Sequence, residues 1–171
     1  DVCHSIGANA SPVITEGSSK TVNMDEDRSP TPFDLILNAT DAENDKITWS
    51  VSSQASYGKA TATGTGTSKR ITYRPDADWN GSDLFEVQVS DGKGGIDTIM
   101  VNVKVAAIND APVLDANQSP ALTDIQEDDT TNNGNSVAEI IVDGSVTDPD
   151  GATTEALAVT SVDNTNGRWQ Y

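Results

Sequence analysis

The sequence predicts an all-β chain of β-sandwich repeats in tandem, and three observations predict it. Apolar residues alternate with polar ones over short runs, the mark of strands with one buried face. Clusters of Gly, Pro, Asn and Asp punctuate those runs, and no stretch carries a helical period. A set of landmarks that begins at residue 9 returns in the same order from residue 109.

The elements follow in chain order. A first strand leads into the acidic run Asp25-Glu26-Asp27, and Pro30 and Pro32 then break the chain. Phe33, Leu35, Leu37 and Ala39 alternate with Asp34, Ile36 and Asn38, which makes a second strand. Ile47, Trp49 and Val51 alternate with Thr48 and Ser50; Trp49 reads as the core tryptophan of a third. Shorter runs at 59–63 and 70–73 form weaker middle strands, and Trp79 packs at a corner. Two strong strands at 84–89 and 96–105 flank Asp91-Gly92-Lys93-Gly94-Gly95, whose glycines supply the positive φ values of a hairpin. About seven strands in about 100 residues describe an immunoglobulin-like sandwich.

The repeat has five landmarks. Asn9-Ala10-Ser11-Pro12-Val13-Ile14 returns as Asn109-Asp110-Ala111-Pro112-Val113-Leu114, and Met24-Asp25-Glu26-Asp27 as Gln126-Glu127-Asp128-Asp129. Ala39-Thr40-Asp41-Ala42-Glu43 is echoed by Val146-Thr147-Asp148-Pro149-Asp150, and the strand at 47–51 by one at 157–162. Tyr57-Gly58-Lys59 is matched by Asn166-Gly167-Arg168. The expected organisation is therefore the end of a preceding segment at 1–8, a complete sandwich at 9–108, and the first part of a second, cut short, at 109–171. With no starting Met and no signal peptide, the sequence reads as a mature fragment of a longer chain.

Composition removes several classes of function. The net charge is -17, with 10 Lys and Arg against 27 Asp and Glu, so the clustered cations that bind nucleic acid or anionic membranes are missing. One cysteine, Cys3, cannot close an internal disulfide, and one histidine is too few for a zinc site or a Ser/His triad. No apolar run is long enough to cross a membrane. The partner that carboxylates favour is a hard cation such as calcium, with a merely solvated acidic surface as the plain alternative.

This layout resembles the cadherin-like tandem repeats of large bacterial surface proteins, relatives of cadherin and dystroglycan domains. The likeness rests on Asp25-Glu26-Asp27, Ala39-Thr40-Asp41-Ala42-Glu43, Tyr73-Arg74-Pro75, Trp79-Asn80-Gly81-Ser82-Asp83-Leu84-Phe85, Ser90-Asp91-Gly92 and Asn109-Asp110-Ala111-Pro112. Loops of such a sandwich gather at its two ends. Glu26, Asp83, Asn109 and Asp110 are expected at the bottom of the first repeat, and Asp148 and Asp150 at the top of the second, where they would share calcium at the joint. Asp41, Glu43 and Asp91 are expected at the top of the first repeat, with Asp45 either joining them or simply solvating a turn. The resemblance implies Glu26, Asp41, Glu43, Asp91, Asn109, Asp110, Asp148 and Asp150 as calcium ligands; the acidic tripeptide of cadherins is absent, and Asp83 stands in by position. The alternative for each acid taken alone is a capping or turn residue.

The expected function is a non-enzymatic, calcium-binding structural and adhesive module of an extracellular, secreted or cell-surface protein. Its partners would be neighbouring repeats, homophilic repeat contacts or surface glycans. The alternative is a carbohydrate-binding module that stacks a sugar on an exposed Trp79 or Trp169. An enzyme is not expected, because the acids fall at repeat landmarks rather than around one cleft.

Overall fold

The structure, a computed structural model, describes residues 8–115 without a break, then 117, 122–124, 126, 128, 131, 133–136, 139, 145–151 and 165. Cys3, Glu127, Asp129, the strand expected at 157–162, Asn166-Gly167-Arg168 and Trp169 lie outside the described residues. The chain divides into two compact units, Asp1–Ile108 and Asn109–Tyr171.

The first unit is built of strands β1 (Val13–Ile14), β2 (Ser19–Asp25), β3 (Leu35–Thr40), β4 (Thr48–Ser53), β5 (Gly58–Thr61), β6 (Gly64–Thr65), β7 (Ser68–Pro75), β8 (Gly81–Ser90) and β9 (Ile96–Ala106). They form a four-stranded sheet in the order β1-β3-β7-β5 and a five-stranded sheet in the order β2-β9-β8-β4-β6. The first strand is shared between the two. β1 pairs antiparallel with β3, the chain turns at Gly17 (φ 87), and β2 then runs parallel to β9. A strand that changes sheet in this way ties the layers of a sandwich together. The middle segment yields β5 and β6 on opposite sheets, so the count exceeds the seven or so that periodicity suggests.

The period-two pattern fills the space between the sheets. Leu35, Leu37 and Ala39 face inward from β3, Phe85, Val87 and Val89 from β8, and Ile99, Val101, Val103 and Val105 from β9. Their neighbours Ile36, Leu84 and Ile96 point out and are about half exposed. Burying each large side chain contributes about 1.5–3 kcal/mol. Phe33, Tyr73 and Phe85 form an aromatic knot with ring centroids 5.7–6.3 Å apart. Trp49 is 1% exposed, and its indole Nε1 donates to the Gly66 carbonyl at 2.7 Å, so its one polar atom is satisfied inside the core.

The second unit contains β10 (Val113–Leu114) and β11 (Val146–Thr147), paired antiparallel. Val113 faces Thr147 and Leu114 faces Val146, just as Val13 faces Thr40 and Ile14 faces Ala39 in the first unit. The sequence repeat is thus also a repeat of register.

Candidate metal centre

At one end of the first unit, the turn between β3 and β4 carries Asp41, Glu43 and Asp45. Asp41 Oδ1 accepts the amides of Glu43 at 3.0 Å and Asp45 at 2.9 Å, which curls the turn around its own carboxylate. Asn44 takes the left-handed conformation (φ 60) that the curl requires and that Asn tolerates well. One carboxylate oxygen from each of Asp41, Glu43 and Asp45 comes within 4.8 Å of the others. Two oxygens there, Asp41 Oδ2 and Asp45 Oδ2, are buried and have no hydrogen-bond partner. A buried anionic oxygen without a donor is costly, and a divalent cation satisfies several at once.

Asp45 is therefore the third member of this cluster, while Asp91 is not. Asp91 is buried beside the same end, and its carboxylate is used within its own surroundings. Asn9 Nδ2 donates to Oδ2 at 2.7 Å, and the amides of Lys93 and Gly95 donate to Oδ1 at 2.7 and 2.9 Å. The Asn9 contact and these amides hold its pKa below the ordinary carboxylate value. Together with the Glu43 carboxylate, which accepts the Ala10 amide at 3.3 Å, Asp91 anchors the segment that enters the sandwich.

At the opposite end, Glu26 is buried at 7% exposure. Its Oε1 accepts the Ile108 amide at 2.6 Å and its Oε2 meets Asn80 Nδ2 at 3.4 Å. Glu26 opens on a cleft that it shares with Asp27, Arg28, Arg74, Asp76 and Asp78. Arg28 and Asp78 line it in left-handed backbone conformations (φ 61 and φ 54). Asp76 and Asp78 were not singled out from the sequence. The usable signal is the spacing: both acids follow Tyr73-Arg74-Pro75 directly, one residue apart, like Asp41 and Glu43.

Asp83, placed among the ligands by position, is engaged within the fold. It is buried on β8, and its carboxylate accepts from the amides of Ser56 (3.0 Å), Tyr57 (2.9 Å) and Leu84 (2.9 Å) and from the Tyr73 hydroxyl (2.9 Å). Burial alone would push its pKa up, but these donors outweigh that and bring it down. Burial and the Asp83 anion push the Tyr73 phenol well up. With both oxygens accepting hydrogen bonds, Asp83 ties the 54–57 loop to β7 and β8.

The second unit reproduces the turn chemistry of the first. Asp148 Oδ1 accepts the Asp150 amide at 2.9 Å, as Asp41 does for Glu43. Asp150 Oδ2 accepts the Asp110 amide at 2.6 Å, as Glu43 does for Ala10. Asn109 Nδ2 donates to the Asp110 carbonyl at 2.7 Å. Asp110, Asp148 and Asp150 are thus brought together within this unit.

Two aromatic residues bear on the sugar-stacking alternative. Tyr57 and Trp79 stack with centroids 4.7 Å apart and an interplanar angle of 7°. The indole is partly buried, covered by Tyr57 and approached by Gly81, where a Cβ would sit 3.3 Å from Cζ2. The half-exposed ring is Tyr57.

An immunoglobulin-like sandwich with acidic loops at both ends is the class these features define. The family model for the bacterial Ig domain matches residues 9–104, and the chain belongs to that family. No curated protein matches the chain. Among solved structures, an endo-fucoidan hydrolase of glycoside hydrolase family 107 is similar at 20% identity and TM-score 0.46, over 61% of this chain and 16% of that one. A protocadherin gammaB7 EC3-6 cis-dimer structure is similar at 18% identity and TM-score 0.45, over 66% of this chain and 29% of that one. The chain thus spans less than a third of either. No helix among the described residues is long and apolar enough to cross a membrane.

Proposed function

We propose that the chain is a non-catalytic, calcium-binding structural module of an extracellular surface protein, in which calcium held at the ends of successive sandwiches stiffens the run of repeats for adhesion or projection. The observation that carries this reading is the pair of buried, partnerless oxygens on Asp41 and Asp45, inside a cluster whose third acid is Glu43. Calcium takes six to eight oxygens, about 2.3–2.6 Å away, mixing carboxylates, carbonyls and water. An all-oxygen, partly buried acidic turn fits that preference, and the softer metals would want His or Cys. Asp41, Glu43 and Asp45 would hold the ion in the first unit, and Asp110, Asp148 and Asp150 in the second. Glu26, Asp76 and Asp78 offer oxygens at the far end of the first sandwich. Because Glu26 also receives the amide of Ile108, an ion there would fix the residue that leads into Asn109. Its partners would be the adjacent repeats of its own chain and repeats of a facing copy.

Calcium titration by calorimetry, with small-angle scattering on the same samples, tests this. The expected result is a binding heat together with a more extended, less variable particle, both reversed by chelator and reduced in Asp41→Asn and Asp148→Asn. Scattering that is indifferent to calcium, with no heat, would leave an acidic sandwich of another purpose.

A second reading, a carbohydrate-binding module, is favoured by one feature: the half-exposed Tyr57 ring, held flat against Trp79. Such a ring can stack on a sugar face. Polysaccharide titration of the wild type against Tyr57→Ala separates the two readings, because the calcium module needs no loss there.

A further inference from the structure

The acid cluster of the first unit already has a cation beside it. Lys93 reaches across from the loop between β8 and β9, and its Nζ lies 2.6 Å from Asp45 Oδ1. The geometry of the pair is asymmetric. The Lys93 side chain is 58% exposed, whereas that of Asp45 is 15% exposed, so a solvated stem delivers its charge onto a largely buried carboxylate. The delivery is also fixed in place, because the Asp91 carboxylate accepts the Lys93 and Gly95 amides and the Asn9 side-chain amide. By contrast, the pair between Arg70 and Asp34 has side chains 62% and 68% exposed, the ordinary condition of a surface ion pair.

We propose that Lys93 is a tethered counter-ion of this metal centre, which partly neutralises the Asp41, Glu43 and Asp45 cluster without metal and sets its calcium affinity by competing for Asp45. The inference rests on the calcium reading of the cluster and adds its regulation. Three carboxylates so close repel one another, and one ammonium relieves only part of that. The partnerless Oδ2 atoms of Asp41 and Asp45 remain for an incoming ion, which must either bear the nearby ammonium or push it into water. Either course weakens binding relative to a site with no lysine. The same contact links the β3–β4 turn to the β8–β9 loop, so it keeps this end closed when calcium is scarce.

The test is calcium calorimetry and thermal unfolding of the whole chain carrying Lys93→Gln, Lys93→Met or Lys93→Arg. The two neutral variants should bind calcium roughly tenfold more tightly than wild type, the size expected for removing one partly screened charge close to the site. In chelator both should melt at a lower temperature than wild type, while Lys93→Arg, which keeps the charge, should follow wild type in both measurements. In an Asp45→Asn background, Lys93→Gln should change affinity by less than about twofold, because the coupled partner is gone. Unchanged or weaker calcium binding by both neutral variants overturns the role of Lys93 and leaves the calcium reading standing. A tightening that persists with Asp45→Asn also overturns it, as a general effect of surface charge. No binding heat in any variant removes the calcium reading and this inference together.

Discussion

The carboxylates in this chain look alike in the sequence and do different work in the fold, and the difference lies in which oxygens already have donors. Asp83 has all of them engaged, by three amides and the Tyr73 hydroxyl. Asp41 and Asp45 each keep one buried oxygen with none. Position along the repeat marks an acid as recurrent, as Asp41 and Glu43 return as Asp148 and Asp150. Donor count depends on loops distant in the chain, such as Ser56 and Tyr57 against Asp83, and no local pattern carries it. Asp83→Asn should therefore cost about 3 kcal/mol of stability, since it leaves buried amides facing an NH2 group. Its pH dependence has a definite sign. A carboxyl with a lowered folded pKa contributes stability that is complete above its unfolded value of about 4 and disappears as pH falls through the folded value. Urea melts should show the gap between wild type and Asp83→Asn shrinking as the pH falls from neutral to below that range; a gap that does not vary with pH would exclude the ionised form as the source. At Gly95 the constraint is space. A Cβ would collide with Asp91 Oδ2 and lie 2.8 Å from Ser11 Cα, so Gly95→Ala should destabilise by about 1–3 kcal/mol and raise proteolysis near residue 9.

At the scale of elements, period-two alternation located the strong strands because each presents one face to the core: β3, β4, β8 and β9 fall where the pattern puts them. It did not reveal that the first strand is divided. β1 and β2 serve different sheets, and alternation reports a buried face without saying which partner lies alongside. β5 was legible only as the weak run at 59–63, and β6 was not seen, for a similar reason: four- and two-residue strands hold too few alternations to resolve. What holds the two-residue β1 in place is long-range as well. Asp97 Oδ2 accepts the Ile14 amide at 2.7 Å, joining the start of the domain to β9. Asp97→Ala should cost about 1–2 kcal/mol and speed hydrogen exchange at Ile14 more than at Leu37, because the lesion is local. Equal acceleration at both amides would mean that β1 has no separate anchor.

For the whole molecule, the buried apolar cluster among the described residues runs from Ile14 to Val105, all within the first unit. A fragment of residues 8–108 should accordingly fold alone and unfold in one cooperative step. That fragment also isolates the Asp41, Glu43 and Asp45 cluster from the acids of the second unit, so its calcium response belongs to the first unit alone. A ligand that binds only the folded state stabilises it by RT ln(1 + [L]/Kd), about 2.7 kcal/mol at a hundredfold excess over Kd. In a domain of this size that raises Tm by roughly 10 °C or more. Calorimetric scans of the fragment should show that rise with calcium, its reversal with chelator, and its loss in Asp41→Asn. A fragment that folds and melts at the same temperature with and without calcium would show that the two partnerless oxygens are a cost the sandwich simply bears, and that the acids of its turns serve solvent rather than metal.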